Sequence, residues 1–253
     1  MYKIPANTLF MGKQLVYVPE CHSTNDEVQR LMQQKGSAEG MVVITANQTA
    51  GRGQRGSAWI TEPGKNLTLS IGLKPNFLTP NFQFYLSMVV SLGLHDCLTR
   101  LVPGAALHIK WPNDFMVNDK KVCGILIENQ LVGQRIERSV VGIGLNVNQQ
   151  FFAWPHATSI SLETARLYEL NEVLSMLLES IEARYLQLKA NEYGNIKIMY
   201  EHKLYGLNVL REFTVDQQTK AGIIKGVTDE GKLKVLIEDE LHYFAFKEIS
   251  YAY

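Results

Sequence analysis

Apolar positions recur with two different periods along this chain, and their alternation predicts the order of its elements. Leu15-Val16-Tyr17-Val18 and Met41-Val42-Val43-Ile44-Thr45 are short, apolar and rich in β-branched residues, as strands are. Between them Val28, Leu31 and Met32 share one helical face, with Ser23 or Thr24 placed to cap the helix and Gly36 to end it. Leu67-Thr68-Leu69-Ser70-Ile71 predicts a third strand. A core helix from about Asn81 to Leu101 follows, with Phe82, Leu86, Val89, Val90, Gly93, Cys97 and Leu101 at helical spacing. Pro103-Gly104 stops it.

Leu107-His108-Ile109-Lys110-Trp111 is strand-like and Pro112-Asn113-Asp114 breaks it. Phe115-Met116-Val117 and Lys121 to Glu128 read as a hairpin around Asn118-Asp119, although that turn lacks the favoured glycine. A second hairpin turns at Val132-Gly133-Gln134 and returns as Ser139 to Val147. Successive hairpins predict a mixed, largely antiparallel sheet rather than a doubly wound parallel one. Thr158 to Leu204 reads as helical, with Val173, Leu174, Leu177, Leu178, Ile181, Tyr185 and Leu188 as its apolar face. From about Leu207 the period drops to two. Short strands at 208–215, 221–227, 232–238 and 241–246 predict a small β-barrel. The expectation is an α+β fold in two domains, 1–206 and 207–253.

Composition narrows the function classes. Lys+Arg and Asp+Glu both number 25, so no basic face for nucleic acid or membrane is indicated. There is no run of 18 apolar residues and no basic segment leading into an apolar core at the N-terminus. The three cysteines, Cys21, Cys97 and Cys123, are odd in number and far apart. They make neither a disulfide framework nor a zinc site, and point to a reducing, cytoplasmic setting.

The stretch richest in chemistry is Gln48-Thr49-Ala50-Gly51-Arg52-Gly53-Gln54-Arg55-Gly56-Ser57-Ala58-Trp59. Its glycines let backbone approach a ligand, its arginines present planar forks of donors, and its indole offers a face for stacking. Gly51 to Gly56 also spells G-x-G-x-x-G, but no helix follows, so it is not a dinucleotide fingerprint. Kinase and P-loop signatures are absent from the sequence. A solvated surface hairpin is the plainer reading of the loop by itself. Other groups add to it: Lys110-Trp111-Pro112-Asn113-Asp114, then Lys121 and Gly124, then Gly142-Ile143-Gly144-Leu145-Asn146. Singly, each is an ordinary solvated lysine, turn asparagine or bulge glycine. Ser23-Thr24-Asn25 could be capping alone, or could hold a polar ligand head at a helix N-terminus.

In order, these groups read S-T-N, Q-T-A-G-R-G-x-R-G-x-x-W, K-W-P-N-D, K-x-x-G-I-L-x-E and G-I-G-x-N-V. That series resembles the biotin protein ligases, by motif over roughly residues 15–150 and by layout to residue 253. The resemblance implies a fold shared with class II aminoacyl-tRNA synthetases, ending in a small SH3-like β-barrel. It also implies a two-step reaction. Biotin is activated by ATP as biotinyl-5′-AMP, with Mg²⁺, and then passed to a lysine of a carboxylase's biotin carboxyl carrier domain. Residue by residue, it implies that Ser23, Thr24, Asn25 and Gln48 meet the biotin head. Arg52, with the backbone of Gly51 and Gly53, would hold the biotin carboxylate and the α-phosphate, and Lys121 would bridge the two. Lys110 and Asn113 would meet the phosphates, and Trp59 and Asn146 the adenine side. Gly124 would clear space for the ligand. Gln54 falls in the biotin-binding set and Arg55 in the ATP-binding set, and no residue is assigned to a metal. Arg52, Lys121, Lys110 and Asp114 form the catalytic set, Asp114 helping to deprotonate the acceptor amine.

Two departures stand out. Many relatives carry arginine where Gln54 and Ser57 stand, which lowers the positive charge of the loop. Only about twenty residues precede Ser23, too few for a winged helix-turn-helix, so repressor activity is not expected. Two other readings compete: a lipoyl or octanoyl ligase, and a non-catalytic biotin sensor. K-W-P-N-D followed by K-x-x-G-I-L favours biotin, and the phosphate-matched cations Arg52, Lys110 and Lys121 favour catalysis over sensing. The acceptor is not legible; a homodimer through an exposed sheet edge is left open.

Overall fold

The computed structural model describes residues 2–252. Seven strands form one mixed sheet. They are β1 (Leu15–Cys21), β2 (Met41–Gln48), β3 (Leu67–Leu73), β4 (Leu107–Lys110), β5 (Asp114–Val117), β6 (Lys120–Val132) and β7 (Arg135–Leu145). Their order is β1-β2-β3-β7-β6-β5-β4, with β1–β2 parallel and every other neighbour pair antiparallel. The parallel pair needs a crossover, which α1 (Thr24–Met32) provides.

Strand alternation explains how both faces of this sheet are covered. On β2, Val42 and Ile44 join the large core, whereas Met41 and Val43 pack with Val28 and Met32 of α1. The large core also takes in α2 (Phe84–Leu101), α4 (Leu170–Lys189) and α5 (Tyr193–His202). On β3 the same alternation sends Leu67, Leu69, Ile71 and Leu73 into the large core. That leaves buried Thr68 and Ser70 on the opposite face. At Gly93 a Cβ would lie 2.7 Å from the Ile181 backbone, so the α2–α4 crossing requires glycine there.

The predicted strands and hairpins are present. Asn118 (φ 47°) and Asp119 (φ 64°) supply the two positive φ angles of the first hairpin turn, a conformation these side chains tolerate without glycine. Helical Thr158–Leu204 is the segment that differs. It is divided into α3 (Ile160–Thr164), α4 and α5, with breaks at Ala165 (φ 53°) and Asn191 (φ 63°). Tyr168, in the first break, donates to the Leu101 carbonyl at 3.0 Å, a tertiary contact that local propensity does not encode. α1 ends at Met32, before Gly36, and Ser23 is its N-cap by backbone geometry while its side chain makes no capping hydrogen bond.

The C-terminal strands are β8 (Leu210–Val215), β9 (Gln218–Val227), β10 (Leu233–Ile237), β11 (Glu240–Phe244) and β12 (Ile249–Tyr251). They form an antiparallel sheet in the order β11-β10-β9-β8-β12. It is open: among the described residues no ladder joins β11 to β12, so the expected closed barrel is not formed. β12 is three residues long and, among the strands, pairs only with β8, which leaves β11 and β12 as the two edges of the sheet. This sheet is tied to the rest of the chain by Trp111 Nε1 donating to the Gly231 carbonyl at 2.9 Å. The Glu201 carboxylate also accepts from the Val227 amide at 2.9 Å, and Lys197 pairs with Asp229 at 2.6 Å.

Candidate active site

A cavity of about 240 Å³ opens where α1 begins, β2 ends and the glycine–arginine loop folds back over β6 and β7. One wall is a chain of hydrogen bonds. The Gln48 Oε1 accepts from the Thr24 amide at 2.8 Å. The Thr24 hydroxyl lies 2.7 Å from Ser70 Oγ, which donates to Asn25 Oδ1 at 2.6 Å. Asn25 Nδ2 then donates to Glu128 Oε2 at 2.5 Å. Ser23, Thr24 and Asn25 are all buried, so these fixed dipoles make a polar recess suited to a neutral head group with donors and acceptors of its own.

The loop is a tight hairpin. Trp59 N donates to Gly51 O at 2.9 Å and Gly53 N to Ser57 O at 2.6 Å, around a short 3₁₀ turn at Gln54–Gly56. This carries the Trp59 indole onto β6 and β7, where Gly124 and Gly144 are cross-strand partners. A Cβ at Gly124 would lie 3.0 Å from the ring, and one at Gly144 would overlap it. The space cleared by Gly124 is therefore taken up by Trp59. The indole Nε1 is buried and has no hydrogen-bond partner among the described residues.

Two cations reach the cavity, each beside a carboxylate. Lys121 Nζ lies 2.6 Å from Asp114 Oδ1 and 5.4 Å from the centre of the Trp59 ring. The Lys121 backbone is clamped by the segment after β7: its amide donates to His156 O at 2.7 Å and its carbonyl accepts from Thr158 N at 2.8 Å. Arg52 Nη2 lies 2.6 Å from Asp26 Oδ1 and 3.5 Å from Glu128 Oε2, and the hydrogen bond it donates to Asp26 holds the guanidinium even more firmly protonated than usual. Hence one cavity is lined both by a polar recess and by two cations, each beside a carboxylate.

The lining contains Ser23, Thr24, Asn25, Gln48, Arg52, Gly53, Gln54, Trp59, Asn113, Asp114, Lys121 and Gly124 from the residues singled out in the sequence. Gly51 stands just behind it, where a Cβ would crowd Gln48 Nε2 at 2.9 Å. The Asn113 amide is partly spent on the Ile125 carbonyl at 2.9 Å. Lys110 is not in the lining. It lies 9% exposed at the end of β4, its Nζ 4.7 Å from the Tyr251 ring centre, and faces a second cavity of about 300 Å³. Burial pushes its ammonium below the usual lysine range, against the opposing pull of Asp114. That second cavity shares Gln54, Asn113 and Asp114 with the first and is otherwise lined largely by the C-terminal sheet.

Asn146 is also absent from the lining. It is 4% exposed, with its amide donating to Thr158 O at 3.0 Å, and it braces the segment that clamps Lys121. The side chain of Arg55 lies outside the described residues. Sequence reasoning passed over Asp26, Glu128 and Ser70. Glu128 was visible as the last residue of K-x-x-G-I-L-x-E, and Asp26 as the residue after S-T-N. Neither position said that both carboxylates converge on Arg52.

A helix-backed mixed sheet thus carries a cavity whose polar recess and cations suit an acid and a phosphate. The chain belongs to the biotin/lipoate A/B protein ligase family, whose sequence pattern matches residues 17–146. It is 30% identical over 234 residues to the bifunctional ligase/repressor BirA of Bacillus subtilis, covering 89% of this chain and 70% of that one. It is also 30% identical over 227 residues to the biotin–[acetyl-CoA-carboxylase] ligase of Mycobacterium tuberculosis, covering 87% and 82%. Among solved structures, the biotin protein ligase of Aquifex aeolicus in complex with biotin and ATP superposes with a TM-score of 0.78. There the identity is 25%, over 94% of this chain and 98% of that one.

Proposed function

We propose that this chain is an ATP-dependent biotin–protein ligase that forms biotinyl-5′-AMP and transfers the biotinyl group to a lysine of a carboxylase carrier domain. Family membership and biotin ligase relatives support this reading. The observation that carries it is one cavity joining the Gln48–Thr24–Asn25 recess to Arg52 and Lys121. A ureido-type head fits the recess, and the acid at the far end of an aliphatic chain would meet the cations.

In the first step a carboxylate oxygen attacks the α-phosphorus and the bond to the β-phosphate bridging oxygen breaks, releasing pyrophosphate. The attacking group is already ionised, so no strong base is needed. The protein's task is to hold two mutually repelling anions together and neutralise the developing charge. Arg52 and Lys121 are the groups for that task. Lys121 must exchange part of its contact with Asp114 for ligand oxygens. In the second step the acceptor amine attacks the acyl carbon and AMP departs. Asp114, partly released by Lys121, receives the amine proton. Lys110, in the adjoining cavity, acts on the outer phosphates.

Among the described residues no cluster of three or more His, Cys, Asp or Glu could hold a metal ion. Mg²⁺ therefore fits as a companion of the nucleotide, liganded mainly by phosphate and water. It would supply charge neutralisation there. Residues 207–253 are proposed as a small SH3-like domain that completes the second cavity and serves acceptor transfer. Among the described residues no helix is long and apolar enough to cross a membrane, and a cytoplasmic location belongs to the proposal. Biotin-dependent ATP–pyrophosphate exchange tests the first step directly. Exchange with lipoate or octanoate but not biotin would transfer the reading to the sister activity, and no exchange with any acid would favour a sensor.

A further inference from the structure

Arg52 does not wait as a free cation. Its guanidinium makes a two-point pair with Asp26, Nη2 to Oδ1 at 2.6 Å and Nη1 to Oδ2 at 3.2 Å. Glu128 approaches the same Nη2 only at 3.5 Å and is itself tied to Asn25 in the recess wall. Asp26 is the partner that can be exchanged. Its side chain is 47% exposed, and it sits in the first turn of α1, where unpaired backbone amides favour negative charge after Arg52 has gone. Releasing it leaves no buried charge behind.

We propose that Asp26 is a specificity-determining residue that occupies Arg52 until an anion anchored in the polar recess displaces it. A carboxylate held on the same chain competes at high effective concentration against any small anion in solution. Inorganic phosphate or acetate has the charge but no head for the Gln48–Thr24–Asn25 wall. An acid whose head is already bound there is itself held beside Arg52, and so competes on equal terms. The discrimination is built in by an internal rival, not by a better fit to the ligand. This inference rests on the reading that Arg52 receives the acid end of biotin.

The test is calorimetric, on the full chain and on the variants Asp26→Asn, Arg52→Gln and the double variant, each checked by circular dichroism. Every protein is titrated with biotin, with biotin carboxamide (same head and chain, no charge), and with biotin in the presence of inorganic phosphate. Asp26→Asn should bind biotin about two- to fivefold more tightly, the scale of one exposed ion pair. It should bind the carboxamide as before, and phosphate should compete more strongly in it than in the parent. The double variant should show no gain over Arg52→Gln, because the gain needs the guanidinium. Unchanged or weaker biotin binding in Asp26→Asn, or an equal gain for the carboxamide, overturns the role of Asp26. If Arg52→Gln leaves the preference for biotin over its carboxamide intact, the assignment of Arg52 to the acid falls as well. If that preference is lost yet Asp26→Asn gains nothing, only the inference about Asp26 falls.

Discussion

Lys121 Nζ lies 2.6 Å from Asp114 Oδ1, across the bulged pairing of β6 with β5. The register matches Lys121 with Met116 and Asp114 with Gly124, so it is the side chains that close the gap between offset positions. Both side chains are 22% exposed, enough for a ligand to reach them and too little for water to screen them fully. Lys121→Gln keeps length and polarity but removes the charge. Loss of one well-placed charge should slow biotin-dependent pyrophosphate exchange about 10²–10³-fold, with a modest effect on biotin affinity. Wild-type exchange kinetics in a folded Lys121→Gln protein would remove Lys121 from the mechanism.

Lys110 should behave differently, because it faces the neighbouring cavity and is more deeply buried. Lys110→Gln should raise the apparent KM for ATP while changing biotin affinity little. Its stability effect follows from its lowered ionisation. The unfolded chain holds the Lys110 proton more tightly than the folded one, so the charge weakens the fold at neutral pH. That penalty fades as pH rises through the depressed folded value towards the free-lysine value. Lys110→Met should therefore raise Tm at pH 7 and show a smaller gain at pH 10. Each recovered kcal/mol corresponds to about 2–4 °C in a chain of this size. A lower Tm for Lys110→Met at pH 7 would contradict this.

Gly144→Ala tests the placement of Trp59. The added methyl overlaps the indole, so the ring must leave the floor formed by Gly124 and Gly144. The expected result is a red-shifted tryptophan emission, from a ring moved towards water, together with weakened ligand binding. Normal emission and normal affinity in Gly144→Ala would mean that the ring does not rest there in solution.

The loop itself should order on binding. Residues 51–57 combine three glycines with a short hairpin in which Gly56 and Ser57 are exposed. Trypsin should cut after Arg52 or Arg55 in the free protein and much more slowly with biotin and ATP present. Cutting at equal rates in both conditions excludes this closure.

Much of the architecture is legible in the sequence. β2 and α2 announce themselves by period, and the two hairpins by breakers spaced between apolar runs. Local chemistry is enough there, because each element's burial pattern is written into its own residues. The glycine–arginine loop, Lys121 and the S-T-N group were legible as candidate chemistry for the same reason.

What the sequence could not carry are the relations between distant segments. Division of the helical run at Ala165 and Asn191 depends on Tyr168 reaching Leu101, and on packing that outweighs propensity. The openness of the C-terminal sheet is a matter of which strand edges meet, and β11 and β12 remain its two edges. In the site, Gly124 and Gly144 were visible as strand glycines, but only the fold aligned them as cross-strand partners and laid Trp59 over them. Likewise Lys110 and Asn146 carry the right chemistry in the right motifs, yet Lys110 at the end of β4 faces the second cavity and Asn146, just after β7, is spent on the Thr158 carbonyl. The pairing of Arg52 with Asp26 joins residues 26 apart in the chain, and that with Glu128 residues 76 apart. Residue type and period set which elements form. Which side chains meet is a consequence of register and crossover, which are properties of the whole sheet and of no single stretch.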